Sequence, residues 1–216
     1  METLVREPEV AIIEGEEKEA ESESQLQNQA ETGEITFEKL AKLNAAAGFT
    51  DGIFHELVEG ELVPMSGTSI PHGEVQQILS GKFYEFLKPD PIGKIYPGVG
   101  FIFQRKPRTM RVPDLAYVSR ERLPAEGTPK KGYWEFVPDV AIEIVSPDDV
   151  MYAVYEKAAE YIRFGVKEVW IIIPVGEAVM LYRSNQNVRY LTSSDKLESP
   201  EILPNFSVPV AELFED

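Results

Sequence analysis

Cysteine is absent from the 216 residues. That excludes disulfides and thiolate metal centres, and it makes a cytoplasmic home the default expectation. Histidine is nearly absent: only His55 and His72 occur, too few for a histidine-rich zinc site and a poor basis for a Ser-His-Asp triad. If a metal is bound, oxygen ligands must dominate, which favours Mg²⁺ or Mn²⁺. No apolar run approaches the ~18 residues of a membrane-spanning helix, so no membrane span is expected. The first residues, Met1-Glu2-Thr3-Leu4-Val5-Arg6-Glu7, lack the basic start and apolar core of a secretion signal. Positive charge is also scarce. Lys and Arg number 21 against 37 Asp and Glu, a net charge of −16 at pH 7. This balance disfavours indiscriminate attachment to nucleic acid.

The acidity is unevenly spread. Residues 1–34 hold 11 Glu against Arg6 and Lys18 and contain no aromatic side chain. They read as an acidic, flexible leader ahead of one domain at 35–216. Within the leader, Val10-Ala11-Ile12-Ile13 has the make-up of a short strand. Thr36 has helix-capping chemistry before a helix over 37–46, which Gly48 would end. Glu59-Gly60 then separates two short strand patterns, a turn of the kind that favours positive φ. Apolar residues at helical spacing run over 72–87, with Pro89 and Pro91 as the stop. Strand-like runs follow at 95–100 and 101–104. Next come the basic tract Arg105-Lys106-Pro107-Arg108 and Arg111, then the extended run Val112-Pro113-Asp114-Leu115-Ala116-Tyr117-Val118. Residues 120–133 read as a polar loop. A strand at 140–145, a helix over 150–164 and a strand at 168–173 form a βαβ unit with parallel strands. A hairpin is expected across Ser184-Asn185-Gln186-Asn187, and an irregular strand with a terminal turn over 202–214.

Three residues stand out against this background. Glu143 interrupts Asp139-Val140-Ala141-Ile142-Glu143-Ile144-Val145, a strand otherwise apolar on both faces, where a carboxylate is costly without a cationic partner. Lys157 lies on the helical stripe of Val150, Val154, Tyr161 and Phe164, while Glu156, Glu160 and Arg163 are expected to face outward. Asp114 follows Pro113 at the entry to a strand. A structural Glu143–Lys157 ion pair, or a lysine reaching past the edge of the stripe to solvent, would account for part of this pattern. Two carboxylates and a lysine together also suit metal-assisted phosphodiester hydrolysis. The acids can hold a hard cation, and a lysine can orient water and offset developing negative charge. A serine hydrolase built on Ser146 is disfavoured, since no base stands near it in the sequence.

The ordered blocks Leu57-Val58-Glu59-Gly60-Glu61-Leu62-Val63, Pro71-His72, Val112-Pro113-Asp114-Leu115-Ala116-Tyr117-Val118-Ser119, Pro138-Asp139-Val140-Ala141-Ile142-Glu143-Ile144-Val145-Ser146-Pro147, Lys157 and Tyr161-Ile162-Arg163-Phe164-Gly165-Val166-Lys167-Glu168-Val169-Trp170 resemble the restriction endonuclease family of the Uma-two type. That family belongs to the PD-(D/E)xK nuclease superfamily and is common in bacteria. The resemblance covers residues 36–214. It implies an α/β restriction-endonuclease-like core, a mixed central β-sheet flanked by helices, with an extra N-terminal β-hairpin. It implies a Mg²⁺-dependent (or Mn²⁺-dependent) endonuclease acting on DNA as a homodimer. Asp114 and Glu143 would be metal ligands, assisted by Glu61. Arg105, Arg108, Arg111 and His72 would contact substrate or phosphate. The superfamily lysine belongs two positions after the acid, where this chain has Val145, so Lys157 would supply it from the following helix. That departure and the acidic balance leave a rival: a catalytically inactive nucleic-acid-binding or protein-interaction module on the same fold.

Overall fold

The computed structural model describes residues 35–47, 53–125, 127–128, 132–184 and 187–215. The acidic leader, its possible strand at 10–13, Gly48, and the turn residues 185 and 186 lie outside these. Packing divides the chain into Met1–Thr36 and Phe37–Asp216, and the second unit carries every helix and strand described below.

Helix α1 (Phe37–Ala47) is followed by strands β1 (His55–Val58) and β2 (Glu61–Pro64). Their turn places Glu59 at φ 52° and Gly60 at φ 94°, the backbone a two-residue hairpin requires. Helix α2 (Ile70–Leu87) begins two residues ahead of the sequence expectation. The Ser69 hydroxyl accepts from the His72 N–H at 3.3 Å, and Pro71 fits the first turn, where no donor is needed. Strands β3 (Gly93–Pro97), β4 (Phe101–Arg105), β5 (Arg108–Arg111) and β6 (Leu115–Ser119) follow. Then come β7 (Val140–Ile144), helix α3 (Met151–Arg163), β8 (Glu168–Ile173), β9 (Ala178–Ser184) and β10 (Asn187–Leu191). The C-terminal segment is more regular than expected, a true hairpin of β11 (Lys196–Ser199) and β12 (Leu203–Pro209).

The central sheet runs β10-β9-β8-β7-β6-β3. Among its described strands β7 and β8 alone pair in parallel, joined by α3 as the βαβ pattern requires. A second sheet, β2-β1-β5-β4, joins the N-terminal hairpin to the basic β4–β5 hairpin.

Alternation along β7 and β8 decides what each face buries. Val140, Ile142, Ile144, Trp170 and Ile172 pack toward Val75, Leu79, Phe83 and Leu87 of α2, with Phe206 and Val208 of β12. Ala141, Val169 and Ile171 pack toward Ala158 and Tyr161 of α3. Glu143 shares the parity of Ala141, so its carboxylate faces α3.

Asp139 pins the head of β7. It is fully buried; Oδ2 accepts from the Ser119 N–H at 2.8 Å, and Oδ1 lies 2.8 Å from Lys167 Nζ and 3.3 Å from Arg122. Burial raises its pKa, but Lys167 and the Ser119 donors outweigh this and hold the carboxyl below its ordinary value. The stabilisation is therefore complete above the unfolded carboxyl pKa of about 3.9 and fades as pH falls below it. Asp139→Asn is expected to cost about 1.5–3 kcal/mol at pH 7. In urea titrations the gap from wild type should narrow below pH 4; a gap independent of pH would rule out the charged pairing as its origin.

Candidate active site

Strand β7 hands Glu143 to the stripe of α3, where Lys157 and Tyr161 stand one turn apart. Lys157 Nζ lies 2.9 Å from Glu143 Oε2, and the Tyr161 hydroxyl donates to Glu143 Oε1 at 2.7 Å. Asp114, just before β6, comes to the same wall. Its Oδ2 accepts from the Ile144 N–H at 2.6 Å, tying it to the residue after Glu143. Its Oδ1 lies 3.3 Å from His72 Nε2, and His72 Nδ1 lies 3.3 Å from the Ser146 hydroxyl.

Strand β1 adds a carboxylate that sequence reasoning passed over. Glu56 is only 4% exposed. Its Oε1 accepts from the Val112 N–H at 2.7 Å and lies 3.1 Å from Lys157 Nζ, and its Oε2 accepts from Arg111 at 2.8 Å. The other terminal nitrogen of Arg111 donates to Glu160. The result is a continuous, largely buried chain of charge: Glu160, Arg111, Glu56, Lys157, Glu143.

Electrostatics differ sharply between the two glutamates that share Lys157. Burial pushes Glu143 upward, Lys157 opposes this, and the nearby negative charges of Asp114 and Glu56 add to it, leaving the carboxyl at about 7. Burial also acts on Glu56, but Lys157 and Arg111 together overcome it and hold this carboxyl below its ordinary value. Burial would lower Lys157, yet Glu143 and Glu56 keep the ammonium well above its usual range. Burial likewise opposes protonation of His72, while the Asp114 carboxylate beside it raises it overall.

These groups line a pocket of about 730 Å³ bounded by β1, β2, the residues before α2 and β6, the end of β7 and one face of α3 from Ala153 to Arg163. The structure thus brings Asp114, Glu143, Lys157, His72 and Arg111 to one cavity. It does not bring Glu61, which is exposed at the start of β2 and absent from the pocket wall; Glu56 reaches the wall from the paired strand instead. Arg105 and Arg108 also lie off the wall, on the β4–β5 hairpin, where exposed Arg105 pairs with Glu135 at 2.5 Å. Arg111 faces inward and is held by two carboxylates. Glu160, expected to face outward, is instead buried against Arg111, whereas exposed Arg163 stands on the pocket wall. A base does stand beside Ser146, namely His72, contributed from a helix 74 residues away.

The donor set suits a hard divalent cation in kind, since both candidate ligands are carboxylates. Among the described residues no group of three or more His, Asp or Glu is arranged to hold a metal ion. Asp114 and Glu143 are the carboxylates that would hold such a cation.

A mixed sheet flanked by helices is the restriction-endonuclease-like architecture that the sequence resemblance implied. The chain belongs to the Uma2 family, described as "Putative restriction endonuclease", whose model matches residues 36–211. A crystal structure titled as a putative nuclease belonging to DUF820, from Anabaena variabilis ATCC 29413, is similar with a TM-score of 0.71. The two chains are 22% identical, and the match covers 83% of this chain and 97% of that one, so they share a fold. No curated protein matches the chain.

Proposed function

We propose that the protein is a divalent-metal-dependent endonuclease that hydrolyses DNA phosphodiester bonds. The observation that carries this reading is the convergence of Asp114, Glu143 and Lys157, from three separate elements, on one solvent-connected pocket. The charge of the wall supports it. Eight carboxylates line the pocket against the basic side chains of Arg111, Lys157 and Arg163. An anionic phosphodiester is repelled by such a wall unless added cations lie between them.

In this reading Asp114 and Glu143 would hold Mg²⁺ or Mn²⁺. The bound ion supplies Lewis acidity toward a phosphoryl oxygen and a lowered pKa for a coordinated water. Lys157 donates to the attacking water or to the non-bridging oxygens, where negative charge grows. The Ile144 N–H and His72 fix the Asp114 carboxylate, so that its orientation is set before substrate arrives. Arg111 braces Glu56. Arg163 at the rim, and Arg105 and Arg108 on the basic hairpin, meet the DNA backbone outside the pocket. The surface pair of Arg105 with Glu135 is weak enough to exchange for a phosphate. A homodimer would present one pocket to each strand of a duplex; Val188 and Tyr190, exposed on edge strand β10, offer apolar surface for pairing. The absence of cysteine agrees with a cytoplasmic setting.

Supercoiled plasmid provides the test. Wild type should convert it to nicked and linear forms in Mg²⁺ or Mn²⁺, and chelation should stop the reaction. If wild type leaves plasmid intact with every divalent metal yet still retards it on a gel, the protein is a non-catalytic binding module instead.

A further inference from the structure

Lys157 is bound twice. Its ammonium sits 2.9 Å from Glu143 and 3.1 Å from Glu56, two carboxylates contributed by different sheets. Glu143 has both oxygens engaged, one by Lys157 and the other by Tyr161. A cation reaching Glu143 therefore meets a positive charge already seated there.

We propose that Glu56 is a positioning residue that takes over Lys157 when a divalent cation enters the pocket, so that the lysine holds the cation's place until then. The proposal rests on the metal-dependent reading above. Two features of the geometry support it. Glu56 is already within reach of the ammonium, so the transfer lengthens one contact and shortens another without moving the backbone of α3. Glu56 is itself fixed, by the Val112 N–H on one oxygen and Arg111 on the other, and Arg111 is backed by Glu160. A lysine lost to solvent would leave Glu56 short of a partner; a lysine retained on Glu56 stays beside the pocket, poised toward water.

Calorimetric titration of the full-length protein with Mn²⁺, without DNA, tests this apart from activity. Lys157→Gln removes the competitor and should tighten Mn²⁺ binding. Glu56→Asp keeps the charge but withdraws the acceptor from the ammonium, and should weaken binding by about tenfold, the scale of outer-shell effects on metal affinity. In the Lys157→Gln background Glu56→Asp should change nothing, because no lysine remains to be received. If Glu56→Asp binds like wild type, or weakens binding equally in both backgrounds, Glu56 does not act through Lys157 and the proposal is overturned. Should Glu56→Asp fail to fold, by far-ultraviolet circular dichroism, Lys157→Gln still decides: unchanged or weaker Mn²⁺ binding overturns it. A wild type that takes up no Mn²⁺ overturns the metal reading itself and this proposal with it. That outcome is distinct from a wild type that binds and variants that do not diverge.

Discussion

Asp114→Asn should lower the Mg²⁺-dependent rate of plasmid cleavage by at least about 10²–10³-fold, the scale on which removal of one electrostatic stabiliser acts. The substitution keeps shape and volume. Its amide oxygen can still accept from the Ile144 N–H, now bonded to Asp114 at 2.6 Å, and its amide nitrogen would then face His72 Nε2, which can become the acceptor. The local fold should therefore survive, and thermal unfolding without metal should stay near wild type. The negative charge toward the pocket is lost, and with it one of two proposed cation ligands. Cleavage assays across a Mg²⁺ series, with a thermal scan beside each, check the expectation. Full activity at ordinary Mg²⁺ would remove Asp114 from the site. A folded variant with a depressed rate and a lost metal response is the expected outcome.

The legibility of this residue, and of Glu143 and Lys157, has a common cause. Each breaks a strong local rule. Glu143 sits in an apolar strand, Lys157 on an apolar helical stripe, and Asp114 follows a proline at a strand entry. Burial makes such departures expensive, so they stand out against the pattern. The βαβ unit was legible for a related reason: β7 and β8 are almost continuously apolar and α3 is periodic, and only a parallel pair bridged by a helix accommodates that order.

Glu56 breaks no such rule. His55-Glu56-Leu57-Val58 reads as a short hairpin strand whose polar residues are expected to face water. In fact Glu56 and Leu57 are both buried, because β1 is covered on one side by the pocket network and on the other by the core. The available signal was Arg111, an inward arginine in Thr109-Met110-Arg111-Val112 that needed a carboxylate partner. The register Leu57↔Met110 that brings the two strands together is a tertiary fact. Glu160 was misplaced for the same reason: helical spacing sets it beside the stripe, and only the arrival of Arg111 from another sheet makes that edge an interior. The contact of His72 with Ser146 spans 74 residues, beyond any local pattern. The β11–β12 hairpin was missed because β11 is short and mostly polar. Its entry is set by Asp195, which accepts from the Thr192 N–H and hydroxyl.

The chain of charge through Arg111 also carries the largest stability effect expected from a single substitution. Arg111 is 11% exposed at its side chain and joins Glu56 to Glu160, which are 5% and 11% exposed. Burial opposes its charge, but Glu56 and Glu160 hold the guanidinium above even its usual range. Arg111→Met keeps much of the side-chain volume and leaves two carboxylates with less compensation. Breaking a buried pair in this way costs about 3–5 kcal/mol, because an unpaired buried charge remains. For a chain of this size that corresponds to a fall on the order of 10 °C in Tm. Glu56 keeps the Val112 N–H and Lys157, so the greater loss falls on Glu160. Adding Glu160→Leu to Arg111→Met removes that stranded carboxylate, and the double variant should be more stable than the single one. Urea unfolding at pH 7 reads both effects. A single variant within about 1 kcal/mol of wild type would mean that Arg111 is braced by nothing costly, and penalties that simply add in the double variant would mean that the two residues are not coupled.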